Sequence, residues 1–268
     1  MEQIKQIKSA RKILLHFIIV LFILGCSSNK AAIKDSQPFK PEESLKKANE
    51  LIDRGDYDEA RVLLEDIKAK DASQQYAALA KLRIADTYFE KESYEEAATE
   101  YETFLAADPY NKYASYAQYR LAMSYFKQIR TIDVSYSTVQ KALKEFEKLQ
   151  KNYPRNPYMD VTENRIKGCQ RMLAEYEFYV GSFYFKSGSY NAAVQRFNTL
   201  LKDYPDSMQE PETLYYLGLS YAKIGQTGQA IITLTTLTRK FPTSALSKEA
   251  QKQIASFGYL IIKSNKEK

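Results

Sequence analysis

The sequence has one histidine and no tryptophan. The histidine is His16, which lies in an apolar run near the N-terminus, so residues 26–268 contain none. This excludes from that part of the chain Ser-His-Asp triads, Cys-His dyads, histidine-ligated metal sites and acid–base catalysis by imidazole. The sequence also lacks a glycine-rich phosphate loop and a G-x-S-x-G turn. Its acidic pairs, Glu42-Glu43 and Glu95-Glu96, stand at predicted helix starts, where they favour the helix dipole. We therefore predict no catalytic residue, no metal site and no cofactor, and a protein that is not an enzyme.

Glycine and proline are scarce, with nine and eight residues respectively in a chain of 268. Such low contents are typical of long helices joined by short turns. The hydrophobic fraction of 44% is sufficient for a large core, and the charged fraction of 27% is ordinary for a globular protein. The composition therefore predicts a folded helical body rather than a disordered one.

The formal net charge of +6 belongs in part to the N-terminus. Residues 1–25 contain four basic residues and one Glu, which is a net +3, so the rest of the chain carries +3. Basic and acidic residues are interleaved along the predicted helices, which indicates solvated faces. Nucleic-acid binding is therefore not predicted.

The N-terminus has the features of a targeting signal. Residues 1–12 are basic, and residues 13–24 form an apolar run. Twelve helical residues extend about 18 Å, less than the ~30 Å hydrocarbon core of a bilayer, which favours a signal peptide over a spanning helix. The run ends in Ile23-Leu24-Gly25-Cys26, which resembles a bacterial lipobox. The resemblance implies removal of residues 1–25 and a covalent lipid on Cys26. Since Ser27 rather than Asp follows, it also implies sorting to the outer membrane.

The alternative is an uncleaved anchor or an ordinary secretory signal in which Cys26 is incidental. Residues 27–41 have no apolar period, so we expect residues 26–41 to be the lipidated cysteine and a flexible tether. With Cys26 modified, Cys169 has no partner in the chain, and no disulfide is predicted. Cys169 has apolar neighbours in a predicted helix, which favours a structural thiol over a reactive one.

From residue 42 onward one pattern returns five times, and three of the four intervals between copies are 37 residues. Each copy has a small residue, then a Leu or Tyr three positions later, and then an Ala followed four residues on by a large apolar residue. A small residue is needed where two paired helices approach closely. The small residues are Ala48, Ala85, Ala122, Gly181 and Gly218, and the later alanines are Ala60, Ala97, Ala142, Ala193 and Ala230. A fixed period is typical of a solenoid, which is usually a binding surface.

The pattern is interrupted once, between the third and fourth copies, where the interval is 59 residues. Eight residues are inserted within Gln128–Val139, and the others extend a helix predicted from about Asp160 into the Phe185 region. This divides the array into repeats 1–3 at residues 42–158 and a second part at residues 159–268. The second part contains the long helix, repeats 4 and 5, and a capping helix at about Ser244–Ile262. We predict an all-α fold, an α-solenoid of five helix pairs with a C-terminal capping helix.

The order of small residue, Tyr, Gly, Tyr, Ala, aromatic residue and Pro resembles the tetratricopeptide repeat. Residues 173–207, together with the lipobox, the tether, the insertion and the long helix, resemble the BamD (ComL-type) family of outer-membrane assembly lipoproteins. The chain departs from the family pattern at two places. The insertion in the third repeat is shorter than in enteric members, and the first repeat ends in Lys70-Asp71-Ala72 instead of Tyr-Pro.

The resemblance implies a periplasmic component of the β-barrel assembly machine, anchored to the outer membrane. Its C-terminal repeats would bind a POTRA domain of BamA, and its N-terminal repeats would read the C-terminal strand of unfolded barrels. Other lipoproteins of the machine would also be partners. Arg196 matches the family arginine at the BamA contact, and a guanidinium suits bidentate bonds to carboxylates. The alternative for Arg196 is an ordinary solvated arginine.

Four tyrosines at intervals of three, Tyr110, Tyr113, Tyr116 and Tyr119, are candidates for substrate binding. Helical spacing would place them near one face at the start of the third repeat. An aromatic groove suits a barrel signal strand that ends in an aromatic residue. The alternative is that each tyrosine packs between helices.

A second function is also consistent with the sequence. The chain would then be a tetratricopeptide lipoprotein that recruits or regulates proteins of cell-wall synthesis or cell division.

Overall fold

The computed structural model describes residues 39–266, and the side chains of residues 132–134 and 258–266 lie outside that description. The chain divides between Lys40 and Pro41, and the compact unit that begins at Pro41 is helical. Its helices are α1 (Pro41–Arg54), α2 (Tyr57–Lys70), α3 (Ala77–Glu90), α4 (Tyr94–Ala107), α5 (Ala114–Lys127), α6 (Ile132–Asn152), α7 (Met159–Lys186), α8 (Tyr190–Asp203), α9 (Glu210–Lys223), α10 (Thr227–Lys240) and α11 (Ala245–Lys266). Between residues 39 and 266 there is no β-strand.

Each helix packs against the next, so the chain forms five consecutive helix pairs that stack in one direction. The capping helix α11 packs against α10 and also touches α9. This arrangement confirms the predicted all-α solenoid with a C-terminal cap. The cap extends four residues beyond the predicted end.

The small residues that define the repeat lie at the contact within each pair. The five alanines of the second helices are fully buried, and the large side chains four residues later are also fully buried; these are Leu64, Tyr101, Phe146, Phe197 and Leu234. In the fifth pair, a Cβ added to Gly218 would lie 2.6 Å from Cγ of Leu234. Because real Cβ atoms do not approach so closely, only glycine fits there.

The turn inside most pairs requires a left-handed backbone. Gly225 between α9 and α10 has φ +80°, and the equivalent residue of the second repeat, Glu92, has φ +62°. Glycine adopts this conformation without the steric cost that a side chain adds. The third repeat has Ile129 at this position and a longer connection to α6.

The two irregularities predicted from the repeat spacing mainly lengthen helices. The paired helices of the regular repeats have 14 residues each, whereas α6 has 21 and α7 has 28. The insertion adds about two turns to the start of α6. Helix α7 serves first as the partner of α6 and then, in its second half, as the first helix of the fourth repeat.

The first repeat ends without the Tyr-Pro of the third and fourth repeats, and Asp71 organises its connection to α3. Its buried carboxylate accepts hydrogen bonds from the hydroxyl of Ser73 at 2.5 Å and from the backbone N–H groups of Tyr76 and Ala77 at 2.6 and 3.1 Å. The hydrogen bond from Ser73, followed by those from the backbone, lowers the pKa of Asp71. These bonds satisfy donors at the start of α3 that have no partner within the helix.

Candidate functional site

Arg196 lies on α8 and forms an ion pair with Glu177 on α7. Its Nη1 lies 3.4 and 3.3 Å from Oε1 and Oε2 of that carboxylate. The side chain of Glu177 is 1% exposed, whereas that of Arg196 is 40% exposed. The guanidinium is therefore fixed at one nitrogen and open to solvent elsewhere, which leaves donors for a second carboxylate.

The same carboxylate is held from the third repeat. The hydroxyl of Tyr136, in the added turns of α6, donates a hydrogen bond to Oε1 of Glu177 at 3.0 Å. The ring of Tyr136 packs against that of Tyr176, with 4.4 Å between centroids. Burial, and then the charge of Glu177, raises the pKa of Tyr136, so its hydroxyl remains a donor at neutral pH. The insertion thus contacts the residue that orients Arg196.

Beyond this contact, α7 continues with an exposed aromatic surface. Tyr179 and Phe183 are 59% and 61% exposed, and with Val180 and Tyr184 they line a shallow pocket of about 260 Å³. Tyr176, Val180 and Phe183 share one helical face because they are four and three residues apart. The face that contacts α6 at Tyr176 is therefore uncovered within the next two turns. We call Tyr179, Val180, Phe183 and Tyr184 the aromatic surface of α7.

A second pocket, of about 340 Å³, adjoins the aromatic surface on the side of α9. Phe178, Phe185 and Tyr216 form its apolar walls, and Glu175 and Lys186 stand at its rim. The rings of Phe185 and Tyr216 meet edge to face at 5.1 Å. The second half of α7 therefore presents apolar depressions on two neighbouring sides, a feature typical of protein interaction sites.

The four candidate tyrosines of the third repeat do not form one exposed row. Helix α5 begins at Ala114, so Tyr110 lies in the preceding loop, where its side chain is 96% exposed. Tyr116 donates a hydrogen bond to Asp86 at 2.8 Å. The ring of Tyr119 stacks on that of Tyr158 at 4.3 Å, and Tyr113 packs against the core of the second repeat. Of the four, Tyr110 has the ring most accessible to a substrate.

A buried polar cluster in the N-terminal repeats was missed by sequence reasoning. The carboxylate of Asp86 accepts hydrogen bonds from Tyr101 at 2.6 Å and Tyr116 at 2.8 Å, and forms an ion pair with Arg83 at 3.1 Å. Arg120 donates to the hydroxyl of Tyr101 at 3.2 Å. Burial, and then the charge of Asp86, raises the pKa values of both tyrosines. The partners come from three helices, so no local sequence pattern marks the cluster. Because its hydrogen bonds join helices of repeats 2 and 3, the cluster stabilises their stacking.

No catalytic arrangement emerges from the described side chains. Among them, no group of three His, Cys, Asp or Glu residues is placed to hold a metal ion. Cys169 is fully buried, and that burial raises the pKa of its thiol to about 11. The acidic pairs of α1 and α4 lie exposed in the first turns of their helices, as predicted.

The predicted lipidation site, Cys26, and the signal peptide lie outside the described residues. In the part of the chain that is described, no helix is both long and apolar enough to cross a bilayer.

Comparison with known proteins places the chain in a family. The model of the YfiO family, whose description is "Outer membrane lipoprotein", matches residues 39–230. The chain belongs to the YfiO family. Its match covers the solenoid from before α1 to the start of α10. The predicted resemblance to BamD-type lipoproteins is thereby confirmed.

A protein of similar sequence supports the assignment of the chain to the YfiO family. Over 69 residues the chain is 35% identical to the outer membrane protein assembly factor BamD of Vibrio cholerae serotype O1. The aligned part is 26% of this chain and 29% of that protein. The alignment therefore spans less than a third of the relative.

Solved structures with tetratricopeptide repeats are also similar to this chain. The TPR2AB domain of yeast Sti1 is 15% identical, with a TM-score of 0.43 and coverage of 82% of this chain and 84% of that one. A TPR repeats protein from Bacteroides fragilis is 13% identical, with a TM-score of 0.45 and coverage of 81% and 98%.

Proposed function

We propose that this protein is a periplasmic scaffold of the β-barrel assembly machinery, held at the outer membrane by a lipid on Cys26. In this role it binds BamA and helps to insert unfolded outer-membrane proteins. Family membership and the name of the Vibrio relative support this assignment. The proposed role is one of binding and positioning, so the proposal includes no enzymatic step and no cofactor beyond the covalent lipid.

The single observation that carries the BamA part of the proposal is the open side of Arg196. Its guanidinium is ordered by Glu177 and still 40% exposed. A carboxylate on a POTRA domain of BamA has the charge and geometry to accept the remaining N–H donors. The proposed BamA contact therefore lies on the fourth repeat, in the C-terminal half of the chain.

The aromatic surface of α7 extends the same proposed interface. Phe183 lies six residues after Glu177, about 9 Å along the helix axis. Exposed aromatic side chains close to an ordered arginine match the composition of binding hot spots. We assign this surface to apolar side chains of the same POTRA domain whose carboxylate meets Arg196.

In the N-terminal half, Tyr110 is the substrate-binding candidate that the geometry favours. It lines an open pocket of about 720 Å³ with Lys112, Tyr153 and Arg155. A barrel signal strand ends in an aromatic residue and a free carboxylate. The tyrosine rings suit the aromatic residue, and the two cations suit the carboxylate.

Purification of the tagged lipoprotein from its own organism in mild detergent, followed by mass spectrometry, tests the proposal. We expect a POTRA-bearing barrel protein and other lipoproteins of the assembly machine to co-purify. Co-purification with enzymes of cell-wall synthesis or cell division, without a POTRA-bearing barrel, would favour the alternative function instead.

A further inference from the structure

We infer that Glu177 is the positioning residue for Arg196, and that Tyr136 holds Glu177 in place, so that the third repeat controls how the fourth presents its partner-binding arginine. This inference rests on the proposed role of Arg196 in binding BamA. It assigns a function to a buried carboxylate and to the inserted turns of α6.

The geometry of the carboxylate supports a positioning role. One nitrogen of Arg196, Nη1, lies within 3.4 Å of both oxygens of Glu177. The contact therefore fixes one corner of the planar guanidinium and directs the opposite edge away from α7. A freely hydrated arginine would have to lose this conformational freedom on binding, whereas an arginine fixed in advance loses less.

The position of Glu177 is itself set by the third repeat. The hydroxyl of Tyr136, on α6, donates a hydrogen bond of 3.0 Å to Oε1 of Glu177. The two residues are 41 positions apart in the chain. Tyr204, directly after α8, packs against the core of the third repeat beside this site. Burial, and then the charges of Asp203 and Glu177, raises the pKa of its hydroxyl. Side chains from α6, α7 and α8 thus surround one carboxylate that is 1% exposed.

Burial makes this carboxylate dependent on its partners. A buried charge that lacks a partner is strongly unfavourable, so Glu177 needs both Arg196 and the hydroxyl of Tyr136. The reverse does not hold, because Arg196 is exposed enough to be hydrated without Glu177. Loss of the carboxylate would therefore free Arg196 while leaving its charge in place.

A matched pair in the fifth repeat provides the control. Glu210 is also buried, and its Oε1 lies 2.7 Å from Nζ of Lys240. The side chain of Lys240 is 42% exposed. This pair has the same balance of a buried carboxylate and a half-exposed cation, and it lies outside the proposed contact between α6, α7 and α8. Glu210→Gln therefore removes the charge of a buried carboxylate without altering the support of Arg196, and Lys240 keeps its second partner, Asp206.

The test is a double-mutant cycle on the full-length lipoprotein in detergent, with the purified POTRA region of BamA from the same organism as the probe. We expect Glu177→Gln to weaken binding about three- to tenfold, the range that corresponds to fixing one long side chain. In an Arg196→Ala background the same change should not weaken binding further, because no arginine remains to be positioned. Tyr136→Phe should give a smaller loss that also disappears in that background, and Glu210→Gln should leave the affinity unchanged.

The outcomes separate the inference from the proposed function. If Arg196→Ala itself leaves the affinity unchanged, both the role of Arg196 and this inference are wrong. If Arg196→Ala weakens binding but Glu177→Gln and Tyr136→Phe leave it unchanged or tighter, only the inference is overturned. An equal loss from Glu177→Gln with and without Arg196 would also overturn it, because that result indicates a general structural effect. Thermal unfolding of each variant shows whether the fold is retained.

Discussion

Gly181 of α7 lies in contact with the ring of Phe197 in α8, and a Cβ added to Gly181 would stand 2.6 Å from Cε1 of that ring. The ring is fully buried and packed between α7 and the next repeat, so it has no space into which to move. The close approach of the two helices in the fourth repeat therefore depends on the absence of a side chain at this position.

We expect Gly181→Ala to lower the free energy of unfolding by about 1–3 kcal/mol, because overpacking forces the ring or the helices apart. Gly168→Ala is the matched control on the same helix, since a Cβ there meets nothing within 4 Å. This control should be neutral or stabilising by up to about 1 kcal/mol, because alanine favours helix more than glycine does. Chemical denaturation of both variants provides the measurement, and equal stability of the two would contradict the packing account.

The carboxylate of Asp71 predicts a pH dependence for the first repeats. The hydrogen bond from Ser73, and then those from backbone N–H groups, lowers the pKa of Asp71 below the usual value of 3.8. A group with a lowered pKa in the folded state stabilises the protein above its unfolded pKa and loses this contribution as the pH falls through the folded pKa. The stability difference between the native chain and Asp71→Asn should therefore be constant above about pH 5 and shrink below pH 3.8. Denaturation curves from pH 7 to pH 3 test this, and a difference that grows on acidification would contradict it.

Cys169 should be unreactive in the folded protein. Burial raises the pKa of its thiol to about 11, so little thiolate exists at neutral pH, and the side chain is inaccessible. In a Cys26→Ser variant, Ellman's reagent at pH 8 should label no thiol under native conditions and one thiol in guanidinium chloride. Rapid labelling of the native protein would show that Cys169 is accessible and that its structural assignment is wrong.

Phe183 should contribute to partner binding without contributing to the fold. Its side chain is 61% exposed, so Phe183→Ala should leave the thermal midpoint nearly unchanged. It should weaken binding of the POTRA region of BamA by about 1–2 kcal/mol, as expected for an aromatic residue at a hot spot. Ile232→Ala on α10 removes an equally exposed apolar side chain away from the aromatic surface of α7 and is the control. Equal affinities for the two variants would place the interface elsewhere.

The fold was predictable from the sequence because small residues at regular intervals mark the period of the repeat. Each pair needs an Ala or Gly where its helices meet, and the first of these positions recurs every 37 residues except between the third and fourth repeats. The long helix was predicted from about Asp160 to the Phe185 region and is observed at Met159–Lys186. Local spacing was sufficient here because helix length and pairing are properties of neighbouring residues.

The polar contacts of the candidate site were not predictable in the same way. Tyr136 and Glu177 are 41 residues apart, and Asp86 meets Tyr116 across 30 residues. Which side chains meet depends on the angle at which neighbouring repeats stack. The sequence period does not determine that angle. For the same reason, the spacing of the tyrosine run did not show that Tyr116 and Tyr119 pack inward while Tyr110 remains in a loop.

Depletion of this lipoprotein in its own organism, with quantification of folded outer-membrane β-barrel proteins, tests the central claim most directly. Heat-modifiable mobility in gels distinguishes folded from unfolded barrels in washed outer membranes. The account predicts that folded barrels decline after depletion, before the rate of cell-wall synthesis changes. Unchanged amounts of folded barrels, together with an early defect in cell-wall synthesis or cell division, would contradict it.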